Sequence, residues 1–256
     1  MNIFVVMKRT FDTEEKIVIK DGKVSEDGAE FIINPYDEYA IEEAIKLREE
    51  HGGEVTVVTI GEDEAEKQLR TALAMGADKA VLINNEDVVA GDPFTTATIL
   101  AAFLKEKDPD IVLAGNVTVD GSTGQVGPRL AEELGMDVVT AITKLVVDGE
   151  NATIERDAEG DLEVIEAKLP LVVTCQQGLN EPRYPSLPGI MKAKKKPLEI
   201  LELDDLDIDE EEVEAKLKTI DIFLPPVKGA GKILEGDIER QAKELISLLK
   251  SEAKVI

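Results

Sequence analysis

The sequence predicts an α/β fold: a mostly parallel sheet with helices on both faces, an antiparallel excursion, and an extended C-terminal arm. Three observations carry that expectation. Short apolar runs alternate with segments of helical period over residues 1–190. The runs are continuously apolar, as in strands buried on both faces of a parallel sheet. The composition then changes, first to a proline-punctuated basic stretch and then to acidic sequence. We therefore divide the chain into an α/β domain (1–190), an overlapping segment of separate character (183–196), and an arm (197–256).

The elements follow in order. Residues 2–7 read as a buried strand. Residues 16–19 and 30–33 read as extended segments, with Asp21-Gly22 as a turn. Asn34 is a good N-cap and Pro35 suits the first helical position, where its missing N–H costs nothing. Ala40, Ile41, Ala44, Ile45 and Leu47 give the helix an apolar stripe, and Gly52-Gly53 stops it. A strand at 54–60 leads to a helix closing at Gly76, then a strand at 79–83. Asp92-Pro93 starts another helix, running to Lys107, and 110–115 is a strand of the same apolar type. The loop 116–127 leads into a helix ending at Gly135, and residues 138–143 begin the next strand. Turns at Asp148-Gly149 and at Glu159-Gly160-Asp161 mark the antiparallel excursion over 143–169, and 171–175 returns to the sheet. Beyond 197, an acidic run, a short strand with a loop at 218–233, and a terminal amphipathic helix complete the chain.

Counting excludes several chemistries. Lysine and arginine total 29 against 54 aspartates and glutamates, for a net charge of −25 in 256 residues. This argues against nucleic acid and against an anionic membrane surface as partners. Any phosphate must be held by local devices. One cysteine, Cys175, permits no intrachain disulfide or cysteine zinc site, and one histidine, His51, leaves no His-based triad. Cys175 reads as a small buried hydrophobe and His51 as a cation at a helix end. No apolar stretch approaches the roughly 18 residues of a membrane span. The first strand lacks a signal peptide's layout. A soluble cytoplasmic protein without membrane insertion is expected. Carboxylate pairs such as Asp204-Asp205 arise by chance in so acidic a chain, and none is assigned to acid–base work.

The best candidate site is the loop after strand 110–115: Gly115, Asn116, Asp120, Gly121, Ser122, Thr123, Gly124, Gln125 and Gly127. Ligands of open parallel sheets bind beyond the carboxyl ends of the strands. A glycine-rich loop lets backbone N–H groups approach a phosphate, and the following helix adds its positive end. Lys8 and Arg9 follow the first strand toward the same edge. A tight strand-to-helix turn accounts for the glycines equally well, and the spacing is neither G-x-G-x-x-G nor a P-loop. The second feature is the segment around Pro182, Pro185 and Pro188, with Leu187, Ile190 and Met191 beside the basic cluster Lys192, Lys194, Lys195 and Lys196. A stiff loop carrying apolar side chains suits protein docking; packing onto the parent domain is the other reading.

Taken together, VMKRTFD, FIINPYDEYAIEEA, EKQLRTALAMGADKA, DGSTGQVGP and LNEPRYPSLPGIMKAKKKP resemble the electron transfer flavoprotein beta-subunit family along essentially the whole chain. The resemblance implies a nucleotide-binding α/β fold of the adenine nucleotide alpha hydrolase-like kind and a heterodimer with an alpha subunit that mainly holds FAD. It implies a non-catalytic electron carrier of fatty acid beta-oxidation, taking electrons from acyl-CoA and related dehydrogenases and passing them toward the quinone pool through a quinone oxidoreductase. It implies AMP in this subunit, at Val6, Asn34, Pro35, Tyr36, Asp37, Ile60, Asp120, Ser122, Thr123, Gly124, Gln125, Val126 and Gly127. It implies dehydrogenase docking through Arg183, Tyr184, Leu187, Pro188, Ile190, Met191 and Lys192, with Leu187 as anchor, and an arm that clasps the alpha subunit. A bifurcating relative with a second FAD in place of AMP, or a stand-alone adenine-nucleotide-binding module, are the alternatives.

Overall fold

The computed structural model describes residues 1–84, 91–209 and 211–256; Glu210 of the acidic run lies outside them. In chain order the elements are β1 (Asn2–Val6), β2 (Arg9–Phe11), β3 (Ile19–Lys20), β4 (Lys23–Val24), β5 (Phe31–Ile33), α1 (Pro35–His51), β6 (Glu54–Gly61), α2 (Glu66–Met75), β7 (Lys79–Asn84), α3 (Pro93–Lys105), β8 (Ile111–Gly115), α4 (Val126–Leu134), β9 (Asp137–Asp148), β10 (Asn151–Ala158), β11 (Asp161–Lys168), β12 (Leu171–Cys175), α5 (Leu187–Ala193), β13 (Leu198–Leu201) and α6 (Ile238–Leu248). The main sheet has nine strands in the order β11-β10-β9-β12-β8-β1-β6-β7-β13.

Strand β1 sits at the centre, parallel to β6 on one side and to β8 on the other. The chain first moves outward through β6 and β7, then returns across β1 to β8 and β12. Right-handed crossovers in opposite directions place their helices on opposite faces. Helices α1 and α2 accordingly pack on the face carrying Ile3, Val5, Val55 and Val57. Helices α3 and α4 cover the face carrying Phe4, Val6, Val58 and Ile83. Both faces of the central strands are buried, which is why those runs are apolar throughout. The reversal leaves a crevice between the carboxyl ends of β1 and β8, the place where open α/β sheets take ligands.

Strands β9, β10 and β11 form the antiparallel excursion, and β12 returns between β8 and β9. A bulge in β9 puts Ala141 at φ 57°, and its N–H donates to Thr174 Oγ1 at 3.0 Å.

Four local expectations are corrected. Strand β13 pairs parallel with β7, so the sheet continues beyond residue 190 into sequence read as arm. The proline-punctuated segment contains helix α5, because Pro188 lies in its first turn, where a missing N–H costs nothing. Of the first extended segment only Ile19 lies in a strand, β3. Residues 218–233 contain no strand; their apolar side chains Ile220 and Phe223 are left exposed.

The chain divides into two compact units. The first comprises Met1–Val18 and Ser25–Ile220, and holds the nine-stranded sheet. The second comprises Ile19–Val24 and Asp221–Ile256. It contains the β3–β4 hairpin, whose turn residues Asp21 and Gly22 both have positive φ, and α6, capped by Asp237 accepting from Arg240 N at 2.9 Å. No residue of α6 is buried. No helix among the described residues is long and apolar enough to cross a membrane.

Candidate functional site

The crevice at the carboxyl ends of β1 and β8 is organised by two side chains from the start of α1. Asn34 occupies the N-cap position but does not cap the helix. Its Nδ2 donates to Val117 O and to Asp37 Oδ1, both at 3.0 Å, and its Oδ1 accepts from Val119 N at 3.1 Å. The expected capping role is therefore replaced by a grip on the 116–125 loop. Asp37 Oδ1 accepts from Gly115 N at 2.9 Å and its Oδ2 from Lys8 N at 2.7 Å. One carboxylate thus ties the end of β1 to the end of β8. Burial drives the Asp37 carboxyl up to about 7, against the N–H donors of Lys8, Asn34 and Gly115 that draw it down.

Gly115 is required here by close approach. A Cβ would strike the Asp37 carboxylate and come within 2.7 Å of Tyr36 Cβ. Asn116 is held from the other side: its N–H donates to Cys175 O and its Oδ1 accepts from Thr174 Oγ1, both at 2.9 Å. Lys8 Nζ reaches across to Asp120 Oδ2 at 2.6 Å. Burial raises the Asp120 carboxyl, but Lys8, the Thr118 hydroxyl and the Gly121 N–H together outweigh it and hold the group below the usual carboxylate range. Arg9, expected at the same edge, turns away to lie 3.4 Å over the Phe31 ring.

Past Asp120 the loop makes a left-handed turn at Ser122 (φ 52°), whose N–H donates to Thr118 O at 2.8 Å, and a second at Gly124 (φ 61°). The following N–H groups, of Thr123, Gly124, Gln125, Val126 and Gly127, find no acceptor among the described residues. They are consecutive donors at the start of α4, where the helix dipole adds positive potential. Val6 and Ile60 lie at the ends of β1 and β6 and pack with the same core cluster. The structure thus gathers Val6, Asn34, Pro35, Tyr36, Asp37, Ile60 and the 120–127 loop along one edge of the sheet. No group of His, Cys, Asp and Glu among the described residues is arranged to hold a metal.

The second predicted cluster divides. Tyr184, Leu187, Ile190 and Met191 are exposed, Leu187 by 79% of its surface, and Pro188 and Lys192 are exposed beside them. Arg183 instead folds back onto α1. Its Nε donates to Glu42 Oε2 at 2.8 Å, its Nη2 to Glu42 Oε1 at 3.0 Å, and its Nη1 to Glu49 Oε1 at 2.8 Å. Lys196 also leaves the basic cluster: its Nζ donates to Leu73 O at 3.0 Å, Gly76 O at 3.3 Å and Ala77 O, at the end of α2. Burial lowers the pKa of Lys196 from the ordinary lysine value. Sequence reasoning missed Glu42, Glu49, Asn180 and Arg70, which receive or hold this segment. No sequence signal marked Glu42, which lies off the apolar stripe of α1 on the helical wheel.

Comparison with known proteins agrees with this architecture. Residues 21–206 match the family described as electron transfer flavoprotein domain. The chain is 66% identical over 257 residues to electron transfer flavoprotein subunit beta of Bacillus subtilis (strain 168), covering 100% of both chains. It is 43% identical over 256 residues to the subunit of the same name from Syntrophomonas wolfei, covering 100% of this chain and 98% of the relative. It is 38% identical over 257 residues to the caffeyl-CoA reductase-Etf complex subunit CarD of Acetobacterium woodii, covering 98% of both. A match over the whole length, on a fold whose sheet reverses beside a donor-lined crevice, makes this chain a member of the electron transfer flavoprotein family, as a beta subunit.

Proposed function

We propose that the crevice between β1 and β8 holds AMP, that this subunit pairs with an alpha subunit carrying FAD, and that the exposed segment around Leu187 docks acyl-CoA dehydrogenases, whose electrons go on to the quinone pool through a quinone oxidoreductase. The observation that carries the nucleotide reading is the run of N–H donors from Thr123 to Gly127 without an acceptor among the described residues. The residues fit the group: these donors and the dipole of α4 suit a phosphate, and in so acidic a chain they supply the positive potential that side chains do not. Asn34 and Asp37 fix the loop in place. Val6 and Ile60 offer apolar surface at the strand ends, and Pro35 and Tyr36 border it.

FAD supplies the redox chemistry of such a carrier, and AMP has none. This chain's own residues bind, orient and dock. They need no general acid or base. The exposed apolar positions Ile238, Leu245 and Ile246 of α6, together with Phe223 and Ile233, suit the arm to clasping the alpha subunit.

The test is to denature the purified alpha–beta complex and identify the released nucleotides by mass spectrometry. One AMP and one FAD per heterodimer is expected. Two FAD and no AMP would overturn the AMP assignment and make the same crevice a redox site.

A further inference from the structure

The segment carrying Leu187 is fastened at both ends by polar ties; between them Gly189 and Ala193 pack on α2 and the core, while Leu187 and Met191 face solvent. At its start, Asn180 Nδ2 donates to Tyr39 O at 3.0 Å and to Glu43 Oε2 at 2.9 Å. Arg183 then spends its guanidinium on Glu42 and Glu49 of α1, and its backbone N–H also donates to Glu42 Oε2 at 3.1 Å. Glu42 is only 5% exposed. The two carboxylates push the Arg183 pKa further up, and Arg183 holds the Glu49 carboxyl below its ordinary value. At the far end, Lys196 closes on the carbonyls at the end of α2, while Arg70 Nη1 of the same helix donates to Ala193 O and Lys196 O, both at 3.0 Å. Between these ties, Ser186 Oγ accepts from Gly189 N at 3.1 Å and starts α5, so even the middle has a fixed backbone.

We propose that Arg183 and Lys196 are positioning residues, two latches that hold the 184–195 segment in its docking shape, and that Arg183 does not itself touch the partner. The proposal rests on the docking reading above. The warrant is saturation. A guanidinium paired with two carboxylates, one of them buried, has little left to offer a second surface, and breaking the pair would strand the Glu42 charge. The gain lies in preorganisation: a segment already shaped before contact loses less conformational freedom on binding.

The test uses the alpha–beta heterodimer with Arg183→Gln, Glu49→Gln and Lys196→Met in the beta chain. Glu49→Gln acts at the exposed end of the pair and keeps the test open should Arg183→Gln fail to fold. Two readouts are needed. The first is the rate of tryptic cleavage after Lys192, Lys194 and Lys195, with no dehydrogenase present. The second is KM and kcat for reduction by an acyl-CoA dehydrogenase across a salt series.

Each variant should speed cleavage several-fold and raise KM about tenfold, with kcat and the salt dependence unchanged. Arg183→Gln and Glu49→Gln should act in the same direction. A direct contact between Arg183 and a partner carboxylate predicts otherwise. Arg183→Gln would then flatten the salt dependence, and Glu49→Gln would leave KM unchanged or lower it; that pattern overturns the proposal. Cleavage equal to the parent's in Arg183→Gln and Glu49→Gln overturns it too. Faster cleavage with unchanged KM in all variants, and in Leu187→Ala, would overturn the docking reading while the latches stand.

Discussion

Helix α1 carries buried carboxylates in two places, and it uses them in opposite ways. At its first turn, Asp37 is met by the backbone N–H groups of Lys8 and Gly115 and by the amide of Asn34. Along its flank, buried Glu42 and, farther along at the surface, Glu49 are met by a guanidinium from a distant segment. Backbone donors cannot be swapped without moving the strands that own them, so the crevice at Asp37 is part of the sheet itself. A guanidinium at the end of a long side chain is a removable tie. The proposed nucleotide site is therefore built into the fold, whereas the proposed docking segment is attached to it.

The most severe way to break this contrast is Gly115→Ala. The new methyl would fall on the Asp37 carboxylate and crowd Tyr36, neither of which can retreat without breaking the join between β1 and β8. Overpacking of this kind costs about 1–3 kcal/mol, and the loss of hydrogen bonds to a buried carboxylate adds to it. The expected result is a heterodimer with a lowered melting temperature and less than stoichiometric bound nucleotide. Normal melting and full nucleotide content would show that the crevice deforms more easily than its hydrogen bonds imply.

A milder effect comes from the Asp37 proton. Its folded pKa of about 7 lies above the ordinary 3.8, so between those values the folded state holds a proton that the unfolded state has released. Stability from this group is fully present below pH 3.8 and declines as pH rises toward 7, by up to about 1.4 kcal/mol per pH unit. Asp37→Asn removes the titration. Its unfolding free energy, followed by denaturant titration from pH 4 to 7, should show a shallower decline than the parent's, even though the variant is less stable at every pH. Parallel curves would place the Asp37 pKa outside this window.

The same contrast explains what the sequence disclosed. The central strands were legible because burial on two faces demands unbroken apolar runs, and Ile3–Val6, Ile111–Ala114 and Leu171–Val173 have them. The position of the candidate site was legible for a related reason: a loop following such a strand emerges at the sheet's carboxyl edge. The role of Asn34 was not. An asparagine before Pro35 is indistinguishable in sequence from a helix cap, and only the return of β8 beside β1 brings Val117 and Val119 within its reach. Strand β13 was hidden because only its end residues Leu198 and Leu201 pack against the core, one on each face, and Glu199 and Ile200 between them are exposed. Arg183 and Lys196 were grouped with neighbouring exposed residues because charge in a sequence carries no sign of its partner, and theirs lie on α1 and α2, far along the chain.

The smallest expected effect on stability is also the one that sharpens the contrast most. Leu187 is 79% exposed and stands at the first position of α5, where Ser186 already supplies the cap. Replacing it with alanine removes no core contact and sacrifices no helix propensity, so unfolding free energy should change by no more than about 0.5 kcal/mol. Bound nucleotide and pairing with the alpha subunit should be unaffected, since neither the crevice nor the arm includes this residue. An apolar anchor seated in a partner's pocket is another matter, because truncating one commonly costs about 2 kcal/mol or more of binding. The second-order rate of reduction by an acyl-CoA dehydrogenase should therefore fall by about 30-fold or more. A variant as stable as its parent, fully loaded with nucleotide and yet slow to accept electrons would separate the two functions proposed for this subunit at a single side chain. An unchanged rate would instead mean that the segment between the Arg183 and Lys196 ties meets its partner elsewhere, or not at all.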